Sequence, residues 1–246
     1  MKTIFVSSTF KDFQEERDML RSDILPLLNE KAKAYGESVS FCDLRWGIDT
    51  SDEDEAAGSS KVLDVCLDEI DRSHPYFIVL LGDRYGYMPG SAAISREAGR
   101  KQILLKDTDI SVTALEVEYG LWRCGGDDSH LLFYFRKIKN TGGKPLPTEF
   151  CTEDLHHAKK RQSLIEEIRN KTGASRIRSY EASWDGSTIT GLSSFSELVK
   201  SDLTEILQKE WKEKENLHLY EKENIAQWNY IQEKDAPFCA REKFSD

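Results

Sequence analysis

Pro75-Tyr76-Phe77-Ile78-Val79-Leu80-Leu81-Gly82-Asp83-Arg84-Tyr85-Gly86 is the stretch whose reading decides the fold. Tyr76 to Leu81 are apolar without alternation, and the run is bounded by Pro75 and Gly82. A strand with one wet face alternates apolar and polar residues. A strand apolar on both faces is covered on both, which suits a central parallel strand between two layers of helices. The turn that follows lies at the carboxyl end of that strand, where open α/β sheets take their ligands.

On both sides of this run the chain alternates strand and helix. Thr3 to Val6 is a short β-branched and aromatic run, followed by Ser7-Ser8-Thr9 and an amphipathic stretch. There Phe13, Leu20, Ile24, Leu27 and Leu28 share a helical face, with Thr9 as cap and Asp12 three residues on. Val39 to Cys42 reads as a second strand. A polar loop over 49–60 and a helix marked by Leu63, Leu67 and Ile70, capped by Ser59 or Ser60, come next. After the central strand an irregular segment runs to about Asp109. A helix is predicted over Thr113 to Arg123, a strand over His130 to Phe135 and a helix over Glu153 to Thr172. A weaker strand over Arg176 to Tyr180 and a helix over Phe195 to Trp211 complete the pattern.

Five strands, each followed by a helix, imply a three-layer, doubly wound α/β fold with a parallel five-stranded sheet. The flavodoxin-like order 2-1-3-4-5 is the commonest solution. Its switch point falls between strands one and three, so the crevice is expected between Ser7–Asp12 and Gly82–Met88. The composition shifts near Glu210 toward dense charge. The expected organisation is a domain over 1–210 and a helical, charged connector over 211–246.

Composition narrows the function. The formal net charge of -10 argues against a domain that grips nucleic acid phosphates. It leaves room for a small anion, which a helix N-terminus can bind without net positive charge. Cys42, Cys66, Cys124, Cys151 and Cys239 are scattered, and with His130, His156 and His157 they fit no zinc spacing. The apolar run in MKTIFVSST is too short for a signal peptide or a membrane span, so the expected location is cytoplasmic, with no membrane partner. No GxxxxGK[ST], GxGxxG after strand one, GxSxG or HExxH occurs.

Four groups can carry chemistry. Ser7, Ser8 and Thr9 can bind a phosphate or a ribose edge, or simply cap the helix. Asp43, Arg45 and Trp46 end strand two. There Arg can fork onto a phosphate and Trp can stack on a base, or Asp and Arg can pair internally. Gly82 and Gly86 permit close backbone approach, and Tyr85 can cover a ligand ring; a plain tight turn explains the same residues. Glu116 can face the crevice, where a carboxylate near a glycosidic carbon stabilises an oxocarbenium-like transition state. Thr113-Ala114-Leu115-Glu116 also fits a capping box, which needs no chemistry.

Ile4-Phe5-Val6-Ser7-Ser8-Thr9-Phe10-Lys11-Asp12 with Glu16-Arg17, Asp43-Leu44-Arg45-Trp46-Gly47-Ile48, Leu81-Gly82-Asp83-Arg84-Tyr85-Gly86-Tyr87 and Thr113-Ala114-Leu115-Glu116 together resemble a TIR-like family. That family stands at the N-terminus of STAND-type NTPases of the NACHT class, including nephrocystin, telomerase-associated proteins and bacterial immune receptors. The resemblance spans about residues 1 to 210. It implies an effector domain in innate-immune or antiphage signalling, and an NAD glycohydrolase switched on by self-association. NAD would be the substrate, with no bound cofactor. Glu116 would be catalytic. Phe10, Trp46 and Tyr85 would hold the rings, and Ser7 to Thr9 and Arg45 the ribose or phosphates. The acidic loop over 49–55 would complete a neighbour's site. The resemblance equally admits a non-catalytic assembly module. A deoxyribosyltransferase-like enzyme shares the general fold. Trp228, Phe238, Ala240 and Arg241 resemble the connector into a downstream NTPase module in the same chain.

Overall fold

The computed structural model describes residues 1–44 and 55–239. The sheet has six strands: β1 (Lys2–Ser8), β2 (Val39–Cys42), β3 (Phe77–Leu81), β4 (Leu131–Asn140), β5 (Ile177–Trp184) and β6 (Ile189–Thr190), in the order β2-β1-β3-β4-β5-β6. The first five are parallel, and they follow the flavodoxin-like order 2-1-3-4-5. The expectation of five strands is corrected by β6, which pairs antiparallel with the end of β5 through Ser183–Thr190 and Trp184–Ile189. Two residues flanked by Gly186 and Gly191, both at positive φ, are too few to register as a strand in the sequence.

Every residue of β3 is buried. Alternation is instead internal to the two layers, because successive strand side chains point to opposite faces. Phe5, Phe77, Val79, Leu81, Leu131 and Phe133 form one core with α3 (Glu55–Ser73), α4 (Ser91–Arg100), α5 (Val112–Arg123) and α6 (Leu155–Lys171). The intervening Ile4, Val6, Ile78, Leu80, Leu132 and Tyr134 are buried on the other face. In chain order α1 (Gln14–Met19), a π-helical turn (Leu20–Ile24) and α2 (Leu25–Lys33) follow β1, and α7 (Ser193–Cys239) follows β6. Phe195, near the start of α7, meets the rings of Tyr134 and Tyr180 at 5.8 and 4.8 Å.

Several element boundaries differ from expectation for identifiable reasons. The segment expected to be irregular contains α4; its apolar face is only Ile94 with Ala93 and Ala98, a weak periodic signal between Gly90 and Gly99. α1 begins at Gln14 after Phe13 with no side-chain cap, so Thr9 does not cap it. α3 begins at Glu55, which puts Ser59 and Ser60 inside the helix rather than before it. β4 and β5 run on together to Asn140 and Trp184, past the apolar run that announced them. By contact the chain divides into two compact units, Met1–Leu203 and Thr204–Asp246, and in the second the helix α7 continues to Cys239. No helix among the described residues is long and apolar enough to cross a membrane.

Candidate functional site

The loops after β1 and β3 meet at the switch point. Their closest approach is at Gly86, whose φ is +99°; a Cβ there would lie 2.9 Å from Thr9 Cγ2 and 3.5 Å from Thr113 Oγ1. A side chain at this position would force the loops apart. Gly82 is equally confined, since its Cβ would come within 3.0 Å of Asp12 Oδ2 and 3.1 Å of Arg136 Nη2.

Glu116 lies at the centre, but sealed. It is 5% exposed. Ser7 Oγ donates to Glu116 Oε2 at 2.5 Å, and the Cys66 thiol forms a second hydrogen bond to the same carboxyl. Burial pushes the Glu116 pKa up, against smaller downward pulls from Ser7, Cys66 and the Arg17 guanidinium. Burial also pushes Cys66 well up, so this thiol stays protonated. The capping-box reading does not hold. The cap of α5 is Ser111, whose Oγ accepts from Ala114 N–H at 3.1 Å. Thr113 is therefore already in the first turn, and Glu116 points to β1 rather than back along its own helix.

The neighbouring hydroxyls are likewise committed. Ser8 Oγ accepts from Arg17 Nε and Nη2 at 2.8 and 2.5 Å, and Arg17 Nη1 forms an ion pair with Asp43. Asp43 thus meets Arg17, tying the ends of β1 and β2 together. Thr9 Oγ1 donates to Asp12. Phe10 is half exposed, with the Arg17 guanidinium 5.8 Å from its ring centroid. Tyr85 is buried in the core with its ring 6.1 Å from that of His157, and burial pushes its phenol up to about 12. Arg45, Trp46 and the acidic loop over 49–54 lie outside the described residues.

Sequence reading did not anticipate the ion cluster under this crevice. Arg136, in the middle of β4, is fully buried and bridges Asp12 Oδ2 at 3.0 Å and Glu16 Oε1 at 2.9 Å. It also donates to the Asp12 carbonyl. Tyr180 OH donates to Glu16 Oε1 at 2.8 Å, and the Arg136 guanidinium stacks 4.0 Å from the Phe13 ring centroid. Two carboxyls share one guanidinium. Burial lifts Asp12 to about 6 and raises Glu16 as well, with Arg136 opposing both shifts. Little in the sequence signals it, since Arg136 is followed in the same strand by Lys137 and Lys139, and only its burial sets it apart.

At the outer rim, Glu153 reaches the loop after β3. Its carboxylate accepts from Tyr85 N–H at 3.1 Å and Gly86 N–H at 3.2 Å and pairs with Arg84 Nη2 at 3.0 Å. Among the described residues no group of three or more His, Cys, Asp and Glu could hold a metal ion.

Telomerase protein component 1 of Rattus norvegicus is 29% identical over 254 residues, 97% of this chain and 9% of the relative. The same protein of Mus musculus is 31% identical over 216 residues, 84% of this chain and 8% of the relative. NACHT and WD repeat domain-containing protein 2 of Homo sapiens is 29% identical over 146 residues, 56% of this chain and 8% of the relative. The chain thus spans about a tenth of the length of these curated relatives. No solved structure matches it. The family model described as "Domain of unknown function (DUF4062)" matches residues 3–226. The match takes up residues 3–226, so the NTPase module expected downstream in the same chain does not lie within these 246 residues. The match over nearly the whole sequence, with relatives that carry NACHT, WD and telomerase-component names, has one consequence: the chain belongs to the DUF4062 family.

Proposed function

We propose that this chain is a signalling and assembly module that works through protein contacts and does not turn over a substrate. The observation that carries this reading is the closure of Glu116. A carboxylate that attacks or stabilises an anomeric centre must be ionised and within reach of the sugar. Glu116 is 5% exposed, held by Ser7 and Cys66, and biased toward its neutral form by burial. The kinship with NACHT- and repeat-containing relatives supports a signalling role, since such domains there form a small part of long chains.

The second reading is a TIR-like NAD glycohydrolase in which self-association unseats Ser7 from Glu116 and opens the pocket. It is favoured by the place of Glu116, where the β1 loop and the start of α5 meet at the switch point. One experiment separates the two. The purified chain, free and clustered on a multivalent scaffold, is incubated with NAD, and nicotinamide release is followed beside Glu116→Gln. The assembly reading expects no release above that of Glu116→Gln in either state. Release that appears on clustering and is lost in Glu116→Gln makes the chain an enzyme.

A further inference from the structure

Glu153 occupies an arrangement that its own role does not explain. Two consecutive backbone amides, Tyr85 and Gly86, and the guanidinium of Arg84 converge on its carboxylate at 3.0 to 3.2 Å. Consecutive backbone N–H groups turned to one acceptor are the arrangement of anion-binding nests. Arg84 Nε is buried and has no hydrogen-bond partner, so Glu153 does not saturate the guanidinium. A phosphoryl group has the extra acceptors and the extra charge to use it.

We propose that this loop is a phosphate-binding site and that Glu153 is a built-in plug which a phosphorylated small molecule displaces. The plug is arranged to leave. Glu153 lies in a non-helical, exposed stretch, two residues before α6 begins at Leu155, and reaches in only with its side chain. Withdrawing it unpacks none of the buried core. The site also adjoins the crevice directly, because Gly86 is the residue packed against Thr9 and Thr113. A ligand anchored here would extend toward the β1 loop. Two carboxyls lie near Arg84: Asp12, which is bonded to Arg136, and Asp83 in the same loop, which pairs with Arg161 Nη2 at 3.4 Å. The intramolecular carboxylate lowers the apparent affinity for a phosphate by the fraction of time it occupies the site. This inference goes beyond the assembly reading and does not depend on Glu116, since binding and turnover are read separately.

The test is isothermal titration calorimetry of the whole 246-residue chain with inorganic pyrophosphate, ADP and adenosine. Glu153→Ala is expected to bind pyrophosphate about tenfold or more tightly than the unmodified chain, the size of one lost charge-assisted competitor. Adding Arg84→Gln should return the affinity to the starting level. A gain for pyrophosphate and ADP alike supports recognition of the phosphates alone. A gain for ADP only supports a nucleotide as their source. No gain for either, or an equal gain for adenosine, overturns the proposal. If Glu153→Ala does not fold, the amide resonances of Tyr85 and Gly86 in the unmodified chain decide. Selective shifts under saturating pyrophosphate support the site, and their absence overturns it.

Discussion

Two buried carboxyl sites meet the end of β1, Glu116 from α5 and Asp12 with Glu16 from the segment that follows β1, and they are bonded by different kinds of partner. Glu116 faces a hydroxyl and a thiol, with no cation bonded to it, and burial favours its neutral form. Asp12 and Glu16 face a guanidinium that is itself 0% exposed and form an ionic cluster stitched to β5 by Tyr180. The first is a closed polar contact between α5 and β1. The second is a charged keystone between the first helix and the middle of the sheet. Placement at the switch point of an α/β sheet therefore does not by itself make a carboxylate reactive: burial raises the pKa of all three carboxyls, and the groups bonded to each only oppose that shift.

Removing the guanidinium is the most severe way to break this contrast. Arg136→Ala leaves two buried carboxyls without a counter-charge, and the expected loss in urea denaturation is about 3–5 kcal/mol. Removing a partner from Glu116 is expected to cost less. Titration sharpens the contrast next. Asp12 holds its proton up to about pH 6 in the fold, against 3.8 for the ordinary side chain. The folded state binds more protons than the unfolded state across that window. The group's favourable contribution is therefore complete below about pH 4 and is lost as the pH rises through about 6. The loss is on the order of 3 kcal/mol. Stability measured from pH 4 to 7 should fall less in Asp12→Asn than in the parent; parallel curves would sink this assignment.

Gly82→Ala presses a methyl group between Asp12 and Arg136. Because that pair is locked on all sides, the expected cost is about 1–3 kcal/mol, with Tm as the readout. Ser7→Ala removes one hydrogen bond from a carboxyl that keeps its Cys66 partner, so about 1 kcal/mol should be lost. A loss from Ser7→Ala as large as that from Arg136→Ala would mean that Glu116 is ionised, and the contrast would collapse.

The fold was legible where burial on both faces left a compositional mark, as in Phe77–Leu81, and where helical periodicity was strong, as in α6. It was less legible where a structure is held by contacts distant in sequence. Arg136 meets partners 120 and 124 residues away, and nothing local to it announces Asp12 or Glu16. Glu153 shows the same limit, since its partners lie 67 and 68 residues upstream. The capping-box motif at Thr113 failed for a local reason: Ser111, two residues earlier, is an equally good cap and takes the position. The meeting of the two loops follows from the strand order, while the hydroxyls there proved to be already bonded.

The most direct measurement of the closed-pocket account is the charge state of Glu116 itself. In a chain carrying 13C at Glu side-chain carboxyls, the Glu116 resonance is assigned by its loss in Glu116→Gln and followed through neutral pH with and without NAD. The account predicts a carboxyl that titrates above the ordinary glutamate range and does not respond to NAD. A carboxyl that titrates at the ordinary glutamate pKa, or one whose resonance shifts when NAD is added, would contradict it.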